Sequence, residues 1–215
     1  MNKTLALLGC TLAALTQLAC AGENDQRPVK SRSAGDRPRI LQGTLQDGGA
    51  APDFVLQDIE GTNTVKLTGL KGKPVVLIFG SCTCPPFVAA TQATQTLFSQ
   101  YKDRVHFLLI YIREAHPTDG RVIPGNQFVV QSPTTLAERR DIARDFAKRL
   151  KVSIPILVDG PDDKVSATYA CWPNRMYILD AQGNIADKGM AAPGGTAASA
   201  RRATQVLDHL LQGKH

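Results

Sequence analysis

Apolar residues in this chain fall into short unbroken runs, separated by stretches in which they recur at helical spacing. Val75-Val76-Leu77-Ile78-Phe79 is rich in β-branching and predicts a central strand buried on both faces. Val105 to Ile112 and Ile154 to Val158 predict two more such strands. Pro85 stands where a helix favours its first residue, and a helical pattern runs from it to about Tyr101. Thr134 or Thr135 can cap a later helix in which Leu136, Ile142, Phe146 and Leu150 share one face. Near the start, Phe54-Val55-Leu56 opens a β-hairpin that turns at Glu60-Gly61-Thr62-Asn63. A short helix over Asp162 to Ala170, a hairpin of Arg175–Leu179 with Ile185–Lys188, and a last helix over Ala197 to Leu211 complete the series. The order is β–α–β–α–β, then a hairpin and a helix. It predicts an α/β fold, a central mixed sheet with helices on both faces, whose first strand-to-helix junction is the favoured site.

The N-terminal part follows another pattern. Met1-Asn2-Lys3 is a short positive start, and the apolar run from Leu5 to Leu18 is too short to span a bilayer. Residues 1–21 therefore read as an export signal, with two processing routes. Small residues around Cys20 suit cleavage after Ala21, and Leu18-Ala19-Cys20 suits a lipobox with Cys20 acylated, although Gln17 fits a lipobox poorly. The lipoprotein route is slightly preferred, and both place the chain outside the cytoplasm, in the periplasm or cell envelope. Residues 22–49 are polar and rich in Gly, Ser, Pro and charge, which reads as a tether ahead of a domain over 50–213.

Composition changes the picture only in part. Hydrophobic residues at 43% can build an ordinary core, and 215 residues suit one domain with appendages. The net charge of +6 comes without a basic run, and aromatics are only 6%, so a nucleic-acid groove is not supported. The cysteines decide more. Cys10 lies in the signal and Cys20 at the processing site, leaving Cys82, Cys84 and Cys171. An odd number of thiols in an oxidising compartment suits redox chemistry better than a structural staple.

The first junction reads Phe79-Gly80-Ser81-Cys82-Thr83-Cys84-Pro85-Pro86-Phe87. A cysteine just ahead of a helix start faces unpaired backbone N–H groups and the positive end of the helix dipole. Both favour thiolate, and comparable sites have pKa values lowered from about 8.5 to about 3.5–7.5. Cys84 is therefore expected to be nucleophilic at neutral pH.

Ala51-Pro52-Asp53-Phe54 and Leu70-Lys71-Gly72-Lys73-Pro74-Val75-Val76-Leu77 resemble the opening of exported thioredoxin-like and peroxiredoxin-like proteins. In that superfamily Cys84 falls at the attacking cysteine, while Phe87 occupies the place of the second cysteine of C-x-x-C. The junction itself is similar to the active-site stretch of the iodothyronine deiodinases, which carry selenocysteine where this chain has Cys84. Leu109-Ile110-Tyr111-Ile112-Arg113-Glu114-Ala115-His116-Pro117-Thr118-Asp119-Gly120 resembles that family's strand and histidine loop, and Arg175-Met176-Tyr177-Ile178 its arginine-bearing strand.

The resemblance implies a thioredoxin-like fold and a thiol-dependent reductive dehalogenase. Cys84 would attack the substrate's halogen, with Cys82, Ser81, Glu114 and His116 as catalytic partners and Thr83 and Arg175 on the substrate side. It implies no cofactor, only an external thiol or thioredoxin-like reductant, and a homodimer is compatible with it. The chain departs from the family at Arg121, Pro133 and Ala192-Pro193-Gly194-Gly195, positions expected to touch substrate.

Other readings stay open. Cys82 or Cys171 could resolve an oxidised Cys84; Cys171 precedes Trp172-Pro173, where thioredoxin folds place a cis-proline. Ser81-x-x-Cys84 also has the hydroxyl-to-cysteine spacing of peroxiredoxins, with Arg175 then assisting peroxide binding. Cys82, Cys84 and His116 could instead hold Cu(I) without turnover. No resident metal is expected for the enzyme readings.

Overall fold

The computed structural model describes residues 44–191 and 194–213. The signal segment, Cys20 and most of the tether lie outside the described residues. Seven strands form one mixed sheet: β1 (Val55–Asp58), β2 (Thr64–Lys66), β3 (Val75–Gly80), β4 (His106–Tyr111), β5 (Ile156–Val158), β6 (Arg175–Leu179) and β7 (Ile185–Lys188). Their spatial order is β2-β1-β5-β4-β3-β6-β7. β3 runs parallel to β4 and antiparallel to β6, with Phe79 opposite both Ile110 and Arg175. The helices are α1 (Pro85–Tyr101), α2 (Leu136–Leu150), α3 (Lys164–Thr168) and α4 (Gly195–Gln212).

Every residue of β3 is buried, as its unbroken apolar run predicts. Alternation along the central strands then feeds two cores. Val76, Ile78, Leu109 and Tyr111 face one side with Phe87 of α1, Phe146 of α2 and Leu207 of α4. Leu77, Phe79, Ile110 and Tyr177 face the other, with Leu67 of a 3-10 turn (Leu67–Leu70) and Val165 of α3. Helices thus cover both faces, three on one and a single short helix on the other. The right-handed rule for crossovers accounts for the first two: β3–α1–β4 and β4–α2–β5 join parallel strands, advance in one direction and share a face. α3 lies between β5 and the antiparallel β6, on the opposite face.

Local signals account for the element ends. Thr135 caps α2 through a reciprocal capping box with Glu138. Gly80 ends β3 where a Cβ would stand 2.2 Å from the Phe87 ring. Gly80→Ala should therefore cost about 1–3 kcal/mol by overpacking, seen as a lower urea midpoint at unchanged slope; an unmoved midpoint would mean the ring can shift aside.

The domain begins earlier than composition indicates. Gly48 N donates to the Ile185 carbonyl at 2.7 Å, and Ile185 N donates to Gly49 O at 2.8 Å. Asp47 accepts from Lys188 N, and Leu45 O accepts from Lys188 Nζ, both at 2.6 Å. Residues 45–50 thus lie along the free edge of β7, and the boundary expected at residue 50 moves back to about 45. Backbone pairing of this kind needs no apolar pattern, so a Gly-rich polar stretch can supply it.

Candidate active site around Cys84

β3 delivers the chain to a buried loop at the start of α1. Cys84 is the N-cap residue, and Pro85 and Pro86 follow within the first turn. Its N–H donates to Ser81 O at 3.1 Å, closing the loop. Ser81, Cys82 and Thr83 are fully buried, and Cys84 is only 2% exposed. All three described cysteines are free thiols.

Burial corrects the expectation of a thiolate at rest. Loss of solvent pushes the Cys84 thiol above its ordinary value, and the negative charge of Glu114 adds to the rise. The Phe87 amide and the Asn174 side chain pull the other way but do not overcome it. Cys82 is raised further, again by burial first and then by Glu114. The helix start supplies one donor of the kind the sequence promised, the Phe87 amide; the enclosure that outweighs it is a tertiary property.

Glu114 organises the loop. It is buried, and it follows β4 by three residues. Its Oε1 accepts from Tyr111 Oη at 2.5 Å. Its Oε2 accepts from Thr83 N at 3.1 Å, from the Thr83 hydroxyl at short range, and from the Cys82 thiol at 3.7 Å. Thr83 Oγ1 in turn accepts from Ala115 N and His116 N, at 3.0 and 3.1 Å. Tyr111 Oη accepts from Cys82 N at 3.1 Å. The cysteine loop and the segment after β4 are thereby tied into one polar network, enclosed by Phe87, Phe128 and Phe146. Thr83, expected on the substrate side, is committed to this network.

His116 is half-buried at the same junction. Its Nδ1 lies 3.0 Å from the Arg121 carbonyl. A carbonyl only accepts, so Nδ1 carries the hydrogen and Nε2 is left to exchange a proton. Asn126 donates to Thr83 O at 2.9 Å, which fastens the long insertion after β4 over the loop. Ser81 Oγ is buried without a hydrogen-bond partner, a donor and acceptor in reserve beside the sulfur loop.

Two expected residues belong to the opposite core. The Cys171 thiol donates to Ser166 O at 3.4 Å among Tyr169 and Tyr177, and burial raises it strongly. Arg175 is buried, and its guanidinium donates to Tyr177 Oη at 3.3 Å. Neither makes a hydrogen bond to the Cys82–Thr83–Glu114 network. Among the described residues no group of three or more His, Cys, Asp and Glu side chains is placed to hold a metal ion. In the structure Cys82 donates to Glu114, and His116 Nδ1 faces the Arg121 carbonyl.

Asn174 was not anticipated. It follows the cis Trp172–Pro173 bond, which lies where the thioredoxin resemblance places one. Its Nδ2 donates to Cys84 Sγ at 3.2 Å. An asparagine after a proline has no distinctive sequence signal. Tyr111 was hidden differently, inside an apolar run that reads as strand.

A family model for iodothyronine deiodinase matches residues 38–209. The chain belongs to the iodothyronine deiodinase family. Thyroxine 5-deiodinase of Homo sapiens is 33% identical over 170 residues, covering 78% of this chain and 55% of that protein. The Ovis aries protein is 34% identical over 170 residues, with 78% and 58% covered. The chain thus spans little more than half the length of these curated relatives. Among solved structures, the pneumococcal exposed lipoprotein thioredoxin from Streptococcus pneumoniae superimposes with a TM-score of 0.51 at 23% identity, covering 74% of this chain and 100% of that one. The thioredoxin domain of a thiol-disulfide oxidoreductase from Bacteroides vulgatus gives 0.52 at 17%, with 74% and 98% covered. These likenesses establish the thioredoxin-like fold on which this deiodinase-family site is built.

Proposed function

We propose that this deiodinase-family chain is a thiol-dependent oxidoreductase that removes halogen, iodine foremost, from a small aromatic substrate, with Cys84 as nucleophile. The observation that carries this reading is the enclosed junction of Cys82, Thr83, Cys84 and Glu114, which sets a sulfur beside a proton-holding network. The Cys84 thiolate attacks iodine; the S–I bond forms as the C–I bond breaks, and the carbon takes the bonding pair together with a proton. A second thiol then displaces iodide from sulfur to give a disulfide, and two equivalents of external thiol, or one dithiol, restore both sulfurs and leave as the disulfide. In sum, one aryl iodide and two thiols become one arene, one disulfide, iodide and a proton.

Each residue has a place in that sequence. A soft, polarisable sulfur suits a polarisable halogen. Glu114 accepts a hydrogen bond from the Cys82 thiol, and it and His116 Nε2 are the groups through which a proton can reach carbon. The burial of Cys171 in the other core favours Cys82 as the resolving thiol. Arg175 would serve the substrate only from the end of β6 where that core meets the loop.

The test is anaerobic incubation with an iodinated phenol and excess dithiol. Iodide release matched by disulfide formation is expected. Absence of iodide, with thiol-dependent peroxide consumption in its stead, would turn the assignment to a thiol peroxidase at the same cysteine.

A further inference from the structure

The sulfur of Cys84 has a side-chain hydrogen-bond donor that the sequence motifs do not contain. Asn174 is almost fully buried, one residue before Arg175 begins β6, and β6 is registered against β3 at Phe79 and Ile78. Its position relative to the cysteine loop is therefore set by the sheet. Its orientation is set by α4. Asn174 Oδ1 accepts from Thr196 N at 2.8 Å and from Thr196 Oγ1 at 3.2 Å. A backbone N–H can only donate, so that end of the amide must be the oxygen, and the NH2 end must point to Cys84 Sγ, 3.2 Å away. Gly195 makes room for this: its φ is +38°, and a Cβ there would stand 1.8 Å from Asn174 Oδ1.

We propose that Asn174 is a further catalytic residue, donating its amide N–H to the Cys84 sulfur whenever that sulfur bears negative charge, with the first turn of α4 holding the amide in that pose. The inference rests on Cys84 being the reacting sulfur. Charge arises on it twice in a thiol cycle: when the thiol ionises before attack, and when it leaves a disulfide during reduction. A fixed donor at the sulfur favours both, without reorganising as the charge develops.

The electrostatic setting makes this donor matter. Burial opposes ionisation of Cys84, and the carboxylate of Glu114, on the segment after β4, opposes it too. Cys82, in the same loop, is itself held protonated. The first turn of α4 carries no acidic residue. Against these, the Phe87 amide and the Asn174 carboxamide are the groups that favour the anion.

The experiment is a pH titration of the Cys84 thiolate by its ultraviolet absorbance in the full chain, taken as the difference from Cys84→Ser. Asn174→Ala should move the midpoint up by about one pH unit, about tenfold less thiolate at a given pH. Asn174→Asp keeps an acceptor for Thr196 but sets an anion beside the sulfur, and should move it further. Gly195→Ala leaves Asn174 in the chain but displaces its amide, and should shift the midpoint in the same direction. Urea unfolding of each variant is measured in parallel. A lowered urea midpoint with an unmoved thiolate midpoint in the variants that fold would make Asn174 merely structural and overturn the proposal. The titration needs no halogenated substrate: shifts as expected with no iodide release would sink the dehalogenase reading alone, whereas normal release with unmoved midpoints would sink the role of Asn174 alone.

Discussion

Cys84→Ser should leave a folded protein whose thiol-dependent iodide release is lower by at least about a thousandfold, the scale on which removal of a covalent nucleophile acts. The substitution keeps volume and keeps an acceptor for the Asn174 amide at the start of α1, so the two buried cores have no reason to rearrange. What it removes is softness and acidity. A serine hydroxyl in the same dry loop ionises far less readily than a thiol, and oxygen is a poor partner for iodine. Iodide release by steady-state assay, with a urea unfolding curve as the control for folding, checks both halves. Release that persists near the wild-type level would place the reaction on another sulfur. The same reasoning gives the pH dependence. Burial and Glu114 hold the Cys84 thiol above its ordinary value, so at neutral pH the reactive thiolate is scarcer than for a free cysteine. Turnover should therefore rise with pH on the alkaline side until that thiol has ionised. A selenol, more acidic than a thiol, would meet this penalty less severely, so a selenocysteine placed at position 84 should shift the rise in turnover to lower pH.

The sequence displays the sheet plainly because its central strands have one requirement, burial on both faces, and Val75–Phe79 meets it with an unbroken apolar run. The hairpin Arg175–Leu179 with Ile185–Lys188 and the cap at Thr135 are equally visible, since each rests on local chemistry. Cys84 could be singled out for the same reason: a thiol before two prolines at a strand-to-helix turn is a local pattern. What could not be read depends on contacts between distant segments. Cys84 is shielded from water within the core it shares with Phe87, Phe128 and Phe146, and no local pattern reports that burial. Asn174 meets Cys84 across 90 residues of chain. Cys171, close to the site by its place before Trp172-Pro173, lies in the other core, where its thiol donates to the Ser166 carbonyl. The strap at 45–50 hides for the opposite reason, since it binds largely through backbone groups, helped by the Asp47 carboxylate and the Lys188 ammonium.

Glu114→Gln should separate two properties that usually move together. Four donors converge on this carboxylate: Tyr111 Oη at 2.5 Å, Thr83 N at 3.1 Å, the Thr83 hydroxyl, and the Cys82 thiol at 3.7 Å. An amide offers one oxygen and an NH2 group, so whichever end faces Thr83, at least one of these groups meets a donor where it had an acceptor. A cost of about 1–3 kcal/mol in stability follows from leaving such a group unpaired in a buried site. The thiols respond in the other direction. The charge of Glu114 raises both Cys82 and Cys84, so its removal lowers both midpoints, and alkylation of Cys84 at neutral pH should quicken. Dehalogenation should nevertheless fall by about 10²–10⁴, the usual weight of a general acid–base group. The carbon released from iodine still needs a proton, and the relay through Cys82, Thr83 and Tyr111 has lost the group able to receive and return one. Faster alkylation with slower iodide release is the signature of a proton-handling carboxylate. If release instead rises in step with the thiolate fraction, Glu114 does no more than hold the loop, and the proton must come from His116 or from solvent.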